Sequence, residues 1–131
     1  MYSLEETSYG YRVKLEGHLQ RDDAGALLIE VRAVIRPRGA AFAVLMDLRS
    51  SRALPAETQD ILRAAIVHFK TAGMERNACI LDSAIAALQA RRLAREAGVA
   101  AGTRTIDVSN QPDWERVALD WLVRAIDPDL N

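Results

Sequence analysis

Cysteine and histidine are nearly missing from this chain: Cys79 is the only cysteine, and His18 and His68 are the only histidines in 131 residues. One cysteine forms no intrachain disulfide, and its place in the apolar run NACIL is that of a small buried hydrophobe. Reactive thiols need a basic neighbourhood to lower their pKa, and none adjoins Cys79 in sequence. With no H-x-x-x-H and no C-x-x-C, a zinc site lacks its usual ligands, and no calcium-loop spacing occurs. Neither G-x-G-x-x-G nor G-x-x-x-x-G-K-[ST] is present, so dinucleotide and P-loop sites have no sequence case, and no cofactor is expected. Positive charge is not in excess: the net charge is −1 and the pI about 6.1, against the basic face of a nucleic-acid binder. No apolar run approaches the roughly 18 residues of a membrane span, and MYSLEETSYGYR lacks the layout of a signal peptide. A cytoplasmic location is the expectation.

What is present is the composition of a globular domain, with half the residues hydrophobic and 27% charged. In YRVKLE (11–16), Val13 and Leu15 alternate with polar residues, the period of a half-buried strand, and SLEET offers a hairpin partner with Tyr9 and Gly10 in the turn. Asp22 and Asp23 are N-cap candidates for a helix whose stripe is Leu27, Leu28, Val31, Val34 and Ile35, stopped by Pro37 and Gly39. FAVLMDL (42–48) is continuously apolar and short, as in a strand covered on both faces. A second helix is expected from about Pro55 to Ala72, with Ile61, Leu62, Ala65, Ile66 and Phe69 inward and Gly73 at its end. ACIL (78–81) is the next strand, SAIAALQARRLAREAG the third helix, and TRTIDV (103–108) the last strand. The final helix opens near Pro112 with the stripe Trp114, Val117, Ala118, Trp121, Leu122 and Ala125. Strand and helix alternate four times after a leading strand, which predicts a single α/β domain of about five strands and four helices with a mainly parallel sheet.

Three segments, VKLEGHLQRDDAGALL (13–28), VLMDLRSSRALPAE (44–57) and CILDSAIAALQARRLAREAG (79–98), carry a resemblance to STAS-type domains. The founding members are bacterial anti-sigma-factor antagonists, and the likeness is greater to the STAS/SEC14-like proteins grouped with them. The resemblance implies a right-handed βα superhelix with strands ordered largely as in the chain. It also implies a switch: antagonists carry Asp-Leu-Ser and, further on, an Asp-Ser-Ser-Gly whose first serine a partner kinase phosphorylates. Here Asp47 and Leu48 match the first pair, Arg49 replaces the serine, and the switch motif falls on Pro55, Ala56, Glu57 and Thr58. None of the four matches, and Ser50 and Ser51 lie too early to take its place.

Ligands of parallel α/β sheets collect beyond the carboxyl ends of the strands. Those ends hold His18, then Asp47 and Arg49, then Asp82 and Ser83, then Asp107 and Ser109. Short polar residues at such joints commonly cap the following helix, and that is the plain expectation for Asp82 and Ser83 and for Asp107, Ser109 and Asn110. A Ser–His–Asp set has little to build on, since His68 sits beside Phe69 on a helix and no G-x-S-x-G elbow exists. The expectation is therefore a non-enzymatic regulatory or interaction domain with a protein partner and without the phosphorylatable serine. The alternative is a binder of a small apolar or acyl molecule, prompted by the SEC14-like resemblance and by Ala84, Ala86, Ala87 and Ala90 on one helix. A homodimer is compatible with either. The candidate rim comprises Asp47, Arg49, Ser50, Ser51, Arg52, Glu57, Asp82 and Ser83, with Arg49 and Arg52 both taken as exposed. Arg91, Arg92 and Arg95 form a second candidate face, suited to an acidic group.

Overall fold

The computed structural model describes residues 1–37 and 39–130. Its frame is one five-stranded sheet in the order β1-β2-β3-β4-β5, with four helices. β1 (Tyr2–Glu6) and β2 (Gly10–Gly17) form an antiparallel hairpin. Its turn is tied by Thr7, whose N–H donates to Gly10 O at 2.9 Å and whose Oγ1 accepts the Gly10 N–H at 3.0 Å. Gly10 is thus the first residue of β2 rather than part of the turn. Its φ is +151°, and a Cβ there would lie 2.1 Å from Ala43 O, so this close approach to β3 admits only glycine.

β2, β3 (Phe42–Ser51), β4 (Met74–Leu81) and β5 (Thr103–Asp107) run parallel to one another. Three helices connect them: α1 (Arg21–Val34), α2 (Ala56–Ala72) and α3 (Ala84–Glu96). Each new strand adds beside the last, so crossovers of one hand must place all three helices on the same face. The packing agrees. Val13, Leu15, Val44, Met46, Cys79 and Leu81 share a core with Leu27, Val31, Leu62, Ile66, Phe69, Ala87 and Ala90. α4 (Trp114–Arg124) follows the last strand, has no crossover to make, and folds onto the opposite face. There Ala118, Trp121 and Leu122 pack against Ala43, Leu45, Ala78, Ile80 and Ile106. β3 and β4 are covered on both sides, which is why they read as continuous apolar runs. β2 keeps Arg12 and Lys14 only half-buried on its second face, which is why it alternates.

Several boundaries differ from the sequence expectation. α1 is capped by Gln20, not by Asp22 or Asp23; Asp23 lies in the first turn and accepts the Gln20 N–H at 3.1 Å. Val34 is 54% exposed while Ile35 is fully buried. The helix ends between them, and the extended backbone of Ile35 (φ −88°, ψ 105°) turns that side chain inward. β3 continues to Ser51 because Ser50 and Ser51 pair with Glu16 and Gly17 of β2. Ala125 is the exposed αL residue that ends α4, not part of its buried stripe. Among the described residues, no helix is long and apolar enough to cross a membrane.

Candidate functional site

Strand geometry divides the predicted rim. Successive residues of β3 point to opposite faces, so Asp47 and Arg49 turn toward α4 while Leu48 turns toward α3. Asp47 is 1% exposed. Arg49 grips it with two bonds, Nε to Oδ1 at 3.0 Å and Nη2 to Oδ2 at 2.8 Å, and the Arg49 N–H adds a third at 3.2 Å. Arg12, on the neighbouring strand, reaches Oδ2 at 3.4 Å. The Arg49 guanidinium lies over the Trp114 ring, 4.3 Å from its centroid. Burial alone would raise the Asp47 pKa, but the hydrogen bonds and charge of Arg49, with Arg12 behind them, hold it below the ordinary carboxylate value. Asp47 and Arg49 therefore clamp β3 to α4. The expectation that Arg49 is an exposed docking residue is corrected: its side chain is two-thirds covered and committed to a buried carboxylate.

Four of the remaining rim residues gather on the α3 side, and Ser50 and Glu57 are not among the residues that line the cleft there. Ser51, Arg52, Asp82 and Ser83 line a cleft of about 170 Å³ between the end of β3 and the start of α3. Leu48, Leu54, Ala86, Ala90 and Leu93 give it apolar walls. Ser83 is the N-cap of α3, its Oγ accepting the Ala86 N–H at 3.1 Å. Ser50, Arg52, Glu57 and Asp82 are exposed, and Ile85 and Leu88 stand 72% and 62% exposed on the adjoining surface of α3. Small residues of that helix, Ala87 and Ala90, face the core. Thr58, where the switch motif ends, is 1% exposed and its hydroxyl donates to Leu19 O at 3.4 Å.

The second candidate face lies farther along α3. Arg91 Nε donates to Thr105 Oγ1 at 3.1 Å, Arg92 pairs with Glu96 at 3.5 Å, and Arg95 is exposed. Arg91 and Arg95 share a hollow of about 260 Å³ with Thr103, Arg104, Thr105 and Asp129. Sequence reasoning missed Arg104. It lies over the ring of Trp121, 4.2 Å from the centroid, and holds Asp127 through two bonds of 2.8 and 2.9 Å. Those bonds bring the Asp127 pKa down to about 2.

Asp107, Ser109 and His68 make local or inter-helix bonds. Asp107 does not cap α4: its Oδ1 accepts the N–H and O–H of Ser109 in a local turn, and Asp113 occupies the N-cap. His68 Nε2 bonds Ile35 O at 2.7 Å, tying α2 to the end of α1. His18 is exposed. Cys79 is 5% exposed, and burial pushes its thiol pKa up to about 12. No cluster of three His, Cys, Asp or Glu side chains suited to a metal occurs among the described residues. Fold and surface together define a five-stranded α/β domain whose strand ends open on a shallow cleft. Protein-family models and curated proteins alike give no match to the chain.

Proposed function

We propose that this chain is a non-enzymatic regulatory domain of STAS-like type that works by docking a protein partner at the cleft between Arg52 and α3. The observation that carries the reading is the combination found there. An apolar-walled cleft is lined by exposed Arg52 and Asp82 and continues onto exposed Ile85 and Leu88. Apolar anchors ringed by charge are the make-up of a docking patch. The strand order and the placement of α1 to α3 on one face support the STAS-like part of the reading.

Volume favours the first of the two readings drawn from the sequence. Small-molecule sites commonly occupy about 300–1,000 Å³. A cleft of about 170 Å³ takes one protruding side chain but does not enclose an acyl chain. The groove of about 580 Å³ between α1 and α2, lined by Leu28, Ile29 and Ile61, is wide open and gives a ligand little burial. Control by phosphorylation of residues 55–58 finds no support either, because Ala56 has no hydroxyl and the Thr58 hydroxyl is buried.

The test is affinity capture from the native host with the parent and with two variants, Arg52→Glu and Ile85→Asp, followed by native mass spectrometry. The reading expects a protein captured stoichiometrically by the parent and lost by both variants, with far-ultraviolet circular dichroism unchanged. Retention of the partner by both variants rejects the cleft as the docking surface. A co-purifying small mass in place of a protein rejects the regulatory reading in favour of ligand binding.

A further inference from the structure

We propose that the free edge of β5 carries a binding site for a small phosphate-type oxyanion, held between Arg91 and Arg95 of α3 and the outward N–H of Thr105. The site is separate from the docking cleft and does not depend on it. Among the described residues, β5 is the last strand of the sheet and pairs on one side only. Val108 N–H donates to Leu81 O. The alternation of a parallel ladder therefore turns the N–H groups of even-numbered residues toward β4 and leaves that of Thr105 facing the open edge.

Charge converges on the same edge. Arg91 and Arg95 stand four apart, on one side of α3, and both line the hollow of about 260 Å³ at β5. Arg92 is matched by Glu96 and Arg104 by Asp127, whereas Arg91 and Arg95 have no carboxylate partner among the described residues. Arg91 commits Nε to Thr105 Oγ1, which leaves both of its terminal nitrogens available. Thr105 Oγ1 accepts that bond, so its own hydroxyl proton is free to be donated. Two guanidinium forks, a hydroxyl and a backbone N–H form a set composed of donors, which suits an acceptor-only group such as phosphate. The hollow is smaller than the usual range of about 300–1,000 Å³ for drug-sized ligands, which fits a phosphate with a small substituent.

Asp129 is the opposing group. Its carboxylate also lines the hollow, is 68% exposed, and lies 3.6 Å from Arg104. It has the sign of the ligand, so it weakens the site, and removing its charge must strengthen binding.

The experiment is a calorimetric titration at low salt with inorganic phosphate and, separately, with glycerol 3-phosphate. Amide chemical shifts are followed in parallel. The parent is expected to bind one equivalent, with the Thr105 amide shifting along the same isotherm. Arg91→Gln with Arg95→Gln should weaken binding at least tenfold, while Arg116→Gln with Arg124→Gln on α4 should not alter it. Asp129→Asn should tighten binding about fivefold, the effect of roughly 1 kcal/mol for a unit charge near 4 Å in water. Tighter binding of glycerol 3-phosphate identifies a phosphate monoester as the natural ligand, and equal binding identifies free phosphate. Both outcomes support the site. No saturable heat or Thr105 shift in the parent up to tens of millimolar overturns the proposal, as does an isotherm that the arginine pair leaves unchanged.

Discussion

Replacing Arg49 by alanine probes the contact on which the α4 face is pinned. The substitution removes both guanidinium bonds to Asp47 and the stacking over Trp114, and leaves the backbone N–H bond at 3.2 Å and Arg12 at 3.4 Å. Breaking a fully buried ion pair costs about 3–5 kcal/mol, because the surviving charge stays buried without its partner. The cost here is smaller, since Arg49 is about a third exposed and Arg12 still offers charge to the same oxygen. An expected loss of about 2–3 kcal/mol results, of which the stacking supplies about 0.5–1 kcal/mol. In a chain of this size that lowers Tm by about 8–12 °C, at roughly 4 °C for each kcal/mol. Arg12→Ala, with one long bond to lose, should cost only about 0.5–1 kcal/mol. Urea unfolding followed by tryptophan fluorescence measures both, and a cycle with Asp47→Asn isolates the coupling, expected at about 1–2 kcal/mol. An Arg49→Ala loss below about 0.5 kcal/mol, the range of ordinary surface changes, would refute the clamp.

Acid should destabilise the fold within a defined window. The pKa values of Asp47 and Asp127 are both depressed in the folded state, Asp127 to about 2, so their contribution is complete above the unfolded value of about 4 and is lost as pH falls through the folded values. Thermal melts at pH 5, 4, 3 and 2 should show Tm falling chiefly below pH 4, with a shallower fall in Asp127→Asn; a flat profile contradicts the assignment. Gly10→Ala should fail to fold or lose more than about 3 kcal/mol, whereas Gly17→Ala, at φ +67° with open space around it, should cost only about 1–2 kcal/mol. Equal losses at the two glycines in chemical denaturation would show that β2 and β3 do not approach so closely. Phosphopeptide mapping after incubation with an antagonist kinase should leave Thr58 unmodified, and stoichiometric phosphate there would mean that the first turn of α2 opens readily.

The fold was legible wherever one physical cause governed the pattern. β3 and β4 are buried on both faces and β2 on one, and their runs and alternations say so directly. The ends were harder. Arg49, Ser50 and Ser51 are polar and follow an apolar run, which looks like a loop, and only pairing with the end of β2 keeps them in the sheet. Gln20 is a weak capping residue, so Asp22 and Asp23 drew the helix start toward themselves. The rim came out as one set of residues because the four parallel strands all end at the same end of the sheet. Yet once the apolar run is taken as a strand, its alternation sends Asp47 and Arg49 to one face and Leu48 to the other. That part could have been read. The meeting of Arg104 with Trp121 and Asp127 could not, because it depends on where α4 lies across the sheet.

The strand order has a consequence for how the chain comes to be folded. In doubly wound sheets the chain builds to one side of its first strand and then returns to build on the other. Here every parallel strand joins the edge left by its immediate predecessor, so β2 receives β3, β3 receives β4 and β4 receives β5, each after one intervening helix. Loops closed between neighbours in sequence are short, which keeps the entropic cost of each addition low and the folding rate high. During synthesis the hairpin of β1 and β2 is available first, and each βα unit then finds its docking edge already in place. α4 comes last and needs only a finished face to lie on. Growth is directional from start to end, and shortening the chain from its C-terminus removes strands from one edge without opening a gap inside the sheet.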